Sequence, residues 1–375
     1  ILNRAQPKFH HIYEVKSLKS DNTLTWIMAT PEAAAAAAAV EAQPSEHPSS
    51  SSSSGRVLKR SLLKGHKDSV LALCADPARA RLASGSADGC CRLWDLRTAR
   101  SVRAAVAGGE VSAVALGPDE HILLAAVGCD LLSFDLRSEQ IVIKEPDRRI
   151  VGLADEEINE VKVHSKGAFA AVAEDGGKAH LVNLRRFSTE RFYGGKRGHR
   201  NICSSLDFRP GREWGLVTGG LDSMVCLWQE GGRNRQLQLQ VDTGDGSSGA
   251  AGGVQLCNPP FVHSVAYTPS GQEVVAALGD GTLALIDADS CELLQRLRGA
   301  HSAAVCQVVT SPVGWFTAGN DCCLCHWVVP ATQDEPPRLE CQVQHCEKIN
   351  QIAWAEGRLY VADLTGNISC YDGMV

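Results

Sequence analysis

The sequence predicts an all-β fold, a closed propeller of seven blades behind a disordered N-terminal extension, and three observations carry that expectation. Residues 82–97 read Leu-Ala-Ser-Gly-Ser-Ala-Asp-Gly-Cys-Cys-Arg-Leu-Trp-Asp-Leu-Arg, two β-rich segments around Ala87-Asp88-Gly89, which is hairpin chemistry. The unit then recurs, more or less eroded, to the C-terminus; Phe134 stands 40 residues after Trp94 in the same local setting. A period of about 40 to 45 residues is the signature of one four-stranded blade, which buries its faces only by stacking on neighbours. Finally, a Gly-His, a Ser or Thr, an Asp and a Trp return together in three of the copies.

Residues 1–55 differ in kind from the rest. They contain an alanine tract, then Gln43-Pro-Ser-Glu-His-Pro48 and a serine run, a composition that cannot bury enough apolar surface to order itself. Met28-Ala29 reads as a natural start, which makes 1–27 translated upstream sequence or part of an extended isoform. The propeller domain is expected over 56–375. Its first strand, 56–63, is expected to pair into the last blade and so remove a sheet edge.

Unit one has His66, Ser84, Asp88 and Trp94. Unit two, 102–137, keeps the strand rhythm but puts Phe134-Asp135-Leu136-Arg137 where unit one has Trp94-Asp95-Leu96-Arg97. Unit three is read by rhythm alone, with Glu174-Asp175-Gly176 at its turn. Unit four restores the set with His199, Thr218, Asp222 and Trp228, and the Gly/Ser-rich stretch 243–253 follows as a flexible surface loop. Unit five has His263 and Asp280; unit six has His301, Thr317, Asp321 and Trp327; unit seven has His345, Asp363 and Tyr371.

The recurring set resembles the WD40 repeat family. That resemblance implies a buried hydrogen-bond relay in which Trp N–H reaches the hydroxyl, the hydroxyl reaches His, and His reaches the turn Asp. The donor inventory allows it, because indole only donates while hydroxyl and neutral imidazole each donate and accept. The relays would be His66-Ser84-Asp88-Trp94, His199-Thr218-Asp222-Trp228 and His301-Thr317-Asp321-Trp327. A structural role for these groups outweighs Ser/His/Asp catalysis.

Composition narrows the function further. A net charge of −6 gives no sequence-wide basic field, so direct nucleic-acid binding is not expected. Fifteen cysteines without CxxC pairs read as reduced thiols rather than a disulfide framework. Of Cys322, Cys323 and Cys325, only Cys323 and Cys325 share a strand face, so no metal site is expected. Phosphate-binding loops, HExxH and GxSxG motifs are absent, which argues against an enzyme and against cofactors. No apolar run approaches the length of a membrane span, and an intracellular protein of cytoplasm or nucleus is expected.

Residues 82–97 also resemble a narrower pattern. Asp88 and Trp94-Asp95-Leu96-Arg97 match the WDxR box of propellers that act as substrate receptors on the damaged-DNA-binding-protein adaptor of cullin-4 ubiquitin ligases. Asp135 and Arg137 repeat the Asp-x-Arg part. The resemblance implies an adaptor-docking edge at Asp88, Trp94, Asp95, Arg97, Asp135 and Arg137. Solvated turns are the plain alternative for both arginines. Over most of 57–375, stretches such as Asn201-Ile-Cys-Ser-Ser-Leu-Asp-Phe-Arg-Pro210 and His345-Cys-Glu-Lys-Ile-Asn350 resemble the WD repeat-containing protein 53 family, candidate cullin-4 receptors without a settled substrate. Some members of that family carry a long basic insertion where this chain has only 331–340. The expected function is therefore a non-enzymatic interaction propeller, a substrate receptor of unknown substrate. The alternative is a scaffold or a peptide or histone-tail reader without any ligase.

Overall fold

A computed structural model describes residues 18–20, 23–27, 57–117, 119–212, 214–229, 234–240, 258–330 and 335–375. They form seven sheets, antiparallel except for one added parallel strand, arranged as a ring of blades. Blade 1 comprises Val70–Asp76, Arg81–Ser86, Cys90–Asp95 and Arg100–Val106; blade 2 comprises Ala113–Leu116, Ile122–Val127, Asp130–Asp135 and Arg148–Ile150. Blade 3 runs Ile158–Val163, Phe169–Glu174, Ala179–Asn183 and Ser188–Tyr193; blade 4 runs Cys203–Phe208, Leu216–Gly220, Met224–Trp228 and Asn234–Gln238. Blade 5 has Val262–Tyr267, Glu273–Leu278, Leu283–Asp287 and Leu293–Leu297, and blade 6 has Val305–Ser311, Gly314–Gly319, Cys323–Val328 and Arg338–Gln344.

Blade 7 takes three strands from the C-terminus, Ile349–Ala355, Arg358–Asp363 and Asn367–Asp372, and its fourth from the N-terminal side. Val57–Lys64 pairs antiparallel with Asn367–Asp372, Lys59 opposite Asp372 and Lys64 opposite Asn367, so the two ends of the propeller close the ring on each other. Within 1–55, Thr23–Ile27 adds to the outside of Val57–Lys64 with Leu18–Ser20 beyond it. The rest of the expected extension, including the alanine and serine tracts, lies outside the described residues, as does the 243–253 loop.

The core is divided into seven apolar clusters, each sealed between two adjacent blades. Leu63, Val70, Leu82, Trp94, Tyr360 and Ile368 join blade 7 to blade 1. Val217, Leu227, Val265, Val274 and Ile286 join blade 4 to blade 5. Because a blade is covered on both faces, its second strand is buried without alternation, as in Leu216–Gly220 and Gly314–Gly319.

A second set of contacts ties the inner strands around the channel. The side chain at one fixed position of an inner strand accepts a hydrogen bond from the next blade's backbone: Gln351 from Leu73, Glu160 from Leu206, Ser205 from Val265 and Ser264 from Val308. The residue before it is a β-bulge, and that side chain donates to the next blade's carbonyl: Asn350 to Val70, Asn159 to Cys203 and Ser204 to Val262. The bulge frees one side chain from the strand alternation so that consecutive residues both reach the neighbour. His263, the histidine of unit five, is the bulged residue of blade 5 on its inner strand.

Candidate functional site

Three blades bring the expected quartets together. In blade 1, Trp94 Nε1–H donates to Ser84 Oγ at 2.8 Å, Ser84 Oγ lies 2.7 Å from His66 Nε2, and His66 Nδ1 lies 3.1 Å from Asp88 Oδ2. Since the hydroxyl oxygen already accepts from Trp94, its proton goes to Nε2, which leaves Nδ1–H to face the carboxylate. Blade 4 repeats this through Trp228, Thr218, His199 and Asp222 at 3.0, 2.9 and 3.0 Å. Blade 6 does so through Trp327, Thr317, His301 and Asp321 at 3.1, 2.8 and 3.1 Å.

Each carboxylate also fixes two pieces of backbone. Asp88 accepts from Lys67 N–H and Cys90 N–H, Asp222 from Arg200 and Met224, and Asp321 from Ser302 and Cys323. Burial works against ionisation of these aspartates, but the backbone and histidine donors outweigh it and hold all three below the usual carboxylate range. Burial also lowers the His66 pKa, which keeps its ring neutral. Ser84, Thr218 and Thr317 are fully buried and occupied on both sides, so none presents a nucleophile to a substrate.

The six residues expected at a docking edge divide into two groups. Asp88 sits in the turn before Cys90–Asp95, at the end of the strand opposite Arg97, while Trp94, near the Arg97 end, is 1% exposed; the relay takes up both. Asp95 and Asp135 end the third strands of blades 1 and 2, Arg97 and Arg137 follow them, and those strands end on the same rim. In each turn the aspartate accepts from the arginine's backbone N–H, at 2.9 Å in both. Both arginine side chains are mostly exposed, 74% and 66%, and both fold back onto their own aspartate. Arg137 does so with two nitrogens, Nε at 3.0 Å and Nη2 at 2.6 Å, and pulls the Asp135 pKa down to about 2. Arg97 makes only a long Nε contact of 3.4 Å to Asp95. Arg103, on the outer strand of blade 1, donates to the Gln140 carbonyl just past Arg137, which links blade 1 to the segment that follows the blade 2 turn.

The model of the WD domain, G-beta repeat family matches residues 56–95 and 192–229, the chain segments that hold the relays of blades 1 and 4. The chain carries WD40 repeats within a seven-bladed propeller. It is similar to the WD repeat-containing protein 53 homolog of Dictyostelium discoideum, 27% identical over 266 residues that cover 66% of this chain and 69% of that protein. It is also similar to ribosome biogenesis protein BOP1 of Homo sapiens, 27% identical over 307 residues, 71% of this chain and 38% of that protein. The mouse BOP1 protein is 24% identical over 310 residues, 73% of this chain and 40% of that protein. The WD40 propeller thus spans about two fifths of the length of these BOP1 relatives.

Other blades of this propeller replace the quartet with other groups. In blade 7, His345 Nε2 meets Asp363 at 2.9 Å while Nδ1 meets Tyr371 Oη at 2.7 Å, one tyrosine standing in for both hydroxyl and indole. Blade 5 neutralises Asp280 with Arg296 from its outer strand, and Arg296 Nε also donates to Thr282 at 2.7 Å. In blade 3 the fully buried Glu174 accepts from Asp155 N–H at 2.7 Å with His180 nearby. Blade 2 keeps Phe134 and Ser133 buried with no relay. Between its third strand and Arg148–Ile150, the chain detours to lay Val142–Ile143 parallel to the outer strand of blade 1. Among the described residues there is no cluster of His, Cys, Asp or Glu suited to a metal ion, and no helix long and apolar enough to cross a membrane.

Proposed function

We propose that this propeller is a substrate receptor that docks on the damaged-DNA-binding-protein adaptor of cullin-4 ubiquitin ligases, with Asp95, Arg97, Asp135 and Arg137 as its edge. The supporting observation is the tandem repetition of exposed Asp-x-Arg turns on one rim of adjacent blades, each arginine set by the same backbone turn. A guanidinium fork is suited to an acceptor on the adaptor, and a pair side by side fixes orientation as well as affinity. The substrate is then another protein, held by loops elsewhere on the ring, and the working compartment is the cytoplasm or nucleus.

A second reading, a scaffold without a ligase, is favoured by the ion pair of Arg137 with Asp135, since the fork is already occupied in the free protein. Likeness to ribosome biogenesis proteins agrees with that reading. Affinity capture of the adaptor by wild type and by Arg97→Glu/Arg137→Glu separates the two. Capture by wild type that is lost in a folded double variant supports the receptor; no capture, or equal capture, leaves the scaffold.

A further inference from the structure

On the rim that carries Arg97 and Arg137, but around the ring at blades 4 and 5, two adjoining depressions share Gln229. One, of about 420 Å³, is lined by Arg197, Gln229, Asn234 and Arg235. The other, of about 200 Å³, is walled by Arg209, Arg212, Trp214, Tyr267 and Asp289.

Arg209 is part of the wall. Its Nε donates to the Gly271 carbonyl at 2.7 Å and its Nη1 reaches Asp289 at 2.7 Å, leaving its side chain only 10% exposed. Trp214 is braced too, stacked on Tyr193 at 6.1 Å with Phe169 and Phe208 against its edges. Arg197, Arg212 and Arg235 are exposed, and none forms an ion pair with a described residue. Among the described residues, the carboxylates nearby are Asp287 and Asp289. Asp287 is taken up by the backbone N–H groups of Asp289 and Ser290, while Asp289 is bonded to Arg209. Asp289 is held below the usual carboxylate range first by Arg209, with Arg212 and Arg235 adding to it. Among the described residues the groove therefore keeps a surplus of guanidinium groups on a rigid aromatic and backbone frame.

A guanidinium surplus selects carboxylates or phosphates. The whole-chain charge of −6 opposes a long polyanion, and depressions of this size hold a few side chains rather than a nucleic-acid track. We propose that this groove recognises an acidic segment of a partner protein, whose carboxylate or phosphate groups seat against Arg197, Arg212 and Arg235. It does not depend on the adaptor edge, which lies on other blades.

The test is fluorescence anisotropy on the full chain with a labelled octaglutamate peptide, the same peptide carrying two phosphoserines, and an eight-residue oligothymidylate. At least one acidic peptide should bind, more weakly as salt rises. Arg212→Glu/Arg235→Glu should weaken binding about a hundredfold, at tenfold or more for each lost charge-assisted contact. Arg197→Gln/Arg212→Gln should weaken it in the same direction with less risk to folding, and Arg97→Glu/Arg137→Glu should leave it unchanged. Preference for the glutamate or the phosphoserine peptide tells which group the segment carries. Failure of both peptides to bind, unchanged binding by the folded groove variants, or tighter binding of the oligothymidylate overturns the proposal.

Discussion

Asp363 engages His345 through Nε2 at 2.9 Å, the ring nitrogen opposite to the one by which Asp222 engages His199. The difference begins with where the acid stands. Asp363 occupies the strand position held by Gly220 and Gly319 in blades 4 and 6, as their pairing with Ile349, Cys203 and Val305 shows. At those glycines a Cβ would come within 2.4 Å of a histidine Nδ1, so the relays of blades 4 and 6 leave the position without a side chain, while blade 1 has Ser86 there. In blade 7 the acid fills it and the ring presents its other nitrogen. Nδ1 then accepts the Tyr371 O–H, whose pKa burial pushes up to about 12. Asp363→Ala should cost about 3 kcal/mol, because it strands a buried imidazole N–H and the Thr365 N–H. Tyr371→Phe should cost about 1 kcal/mol. Urea denaturation measures both, and equal losses would contradict the ordering.

Acid should act on all four relays. Asp88, Asp222, Asp321 and Asp363 are lowered in the folded state, despite burial, by histidine, hydroxyl and backbone donors. A carboxylate with a depressed folded pKa stabilises fully above its unfolded value of 3.8 and loses that contribution as pH falls through the folded value. Burial lowers the His66 pKa from 6.5, so the unfolded chain gains a proton first and stability already declines as pH drops below that value. Melting temperature followed from pH 7 to pH 3 should therefore fall in two stages, an initial decline below about 6.5 and a steeper one below about 4. A flat profile down to pH 3 would contradict the assignment.

Glu160 is the inter-blade acceptor with the most at stake. Its carboxylate takes Ser205 Oγ–H at 2.6 Å, Leu206 N–H at 2.9 Å and Lys162 Nζ at 3.0 Å, and the residue is buried. The Lys162 side chain is 41% exposed to channel solvent, so its charge is partly screened and the backbone donor dominates. Glu160→Ala should destabilise by about 3 kcal/mol, and Glu160→Gln, which still accepts from Leu206, by about 1 kcal/mol. Similar losses in chemical denaturation would place the stabilisation in the Lys162 charge instead.

The legible part of the molecule is the part built from one repeated chemical solution. His66, Ser84, Asp88 and Trp94 must be those residue types because each bond needs a particular donor and acceptor, so their spacing survives in blades 4 and 6. The inner-strand contacts need only an acceptor, which Gln351, Glu160, Ser205 and Ser264 all provide, and that freedom hides them from pattern reading. Arg296 comes from the strand that carries no family residue, so nothing in the sequence links it to Asp280. Of the motif that suggests a docking edge, Asp88 falls at the opposite end of the strand from Arg97, because a motif is contiguous in sequence while a strand carries its two ends to opposite rims, and Trp94 is buried in the relay.

Asp135 offers a sharper test of the edge than removal of the arginines. Its carboxylate does two jobs, closing the turn on Arg137 N–H and holding the Arg137 guanidinium. Blade 3 shows that they separate, because Asn183 makes the same turn, accepting from Arg185 N–H at 3.0 Å without a charge. Asp135→Asn should thus keep the backbone and release the guanidinium, with the melting point within about 2 °C of wild type because the pair is exposed. If Arg137 docks on the adaptor, the freed fork no longer has to leave a partner in order to bind, and adaptor capture should strengthen while dissociation slows. Arg137→Glu should lower capture at the same melting point. Weaker capture by Asp135→Asn would mean that the adaptor reads the carboxylate itself, and unchanged capture by both variants would remove blade 2 from the docking edge.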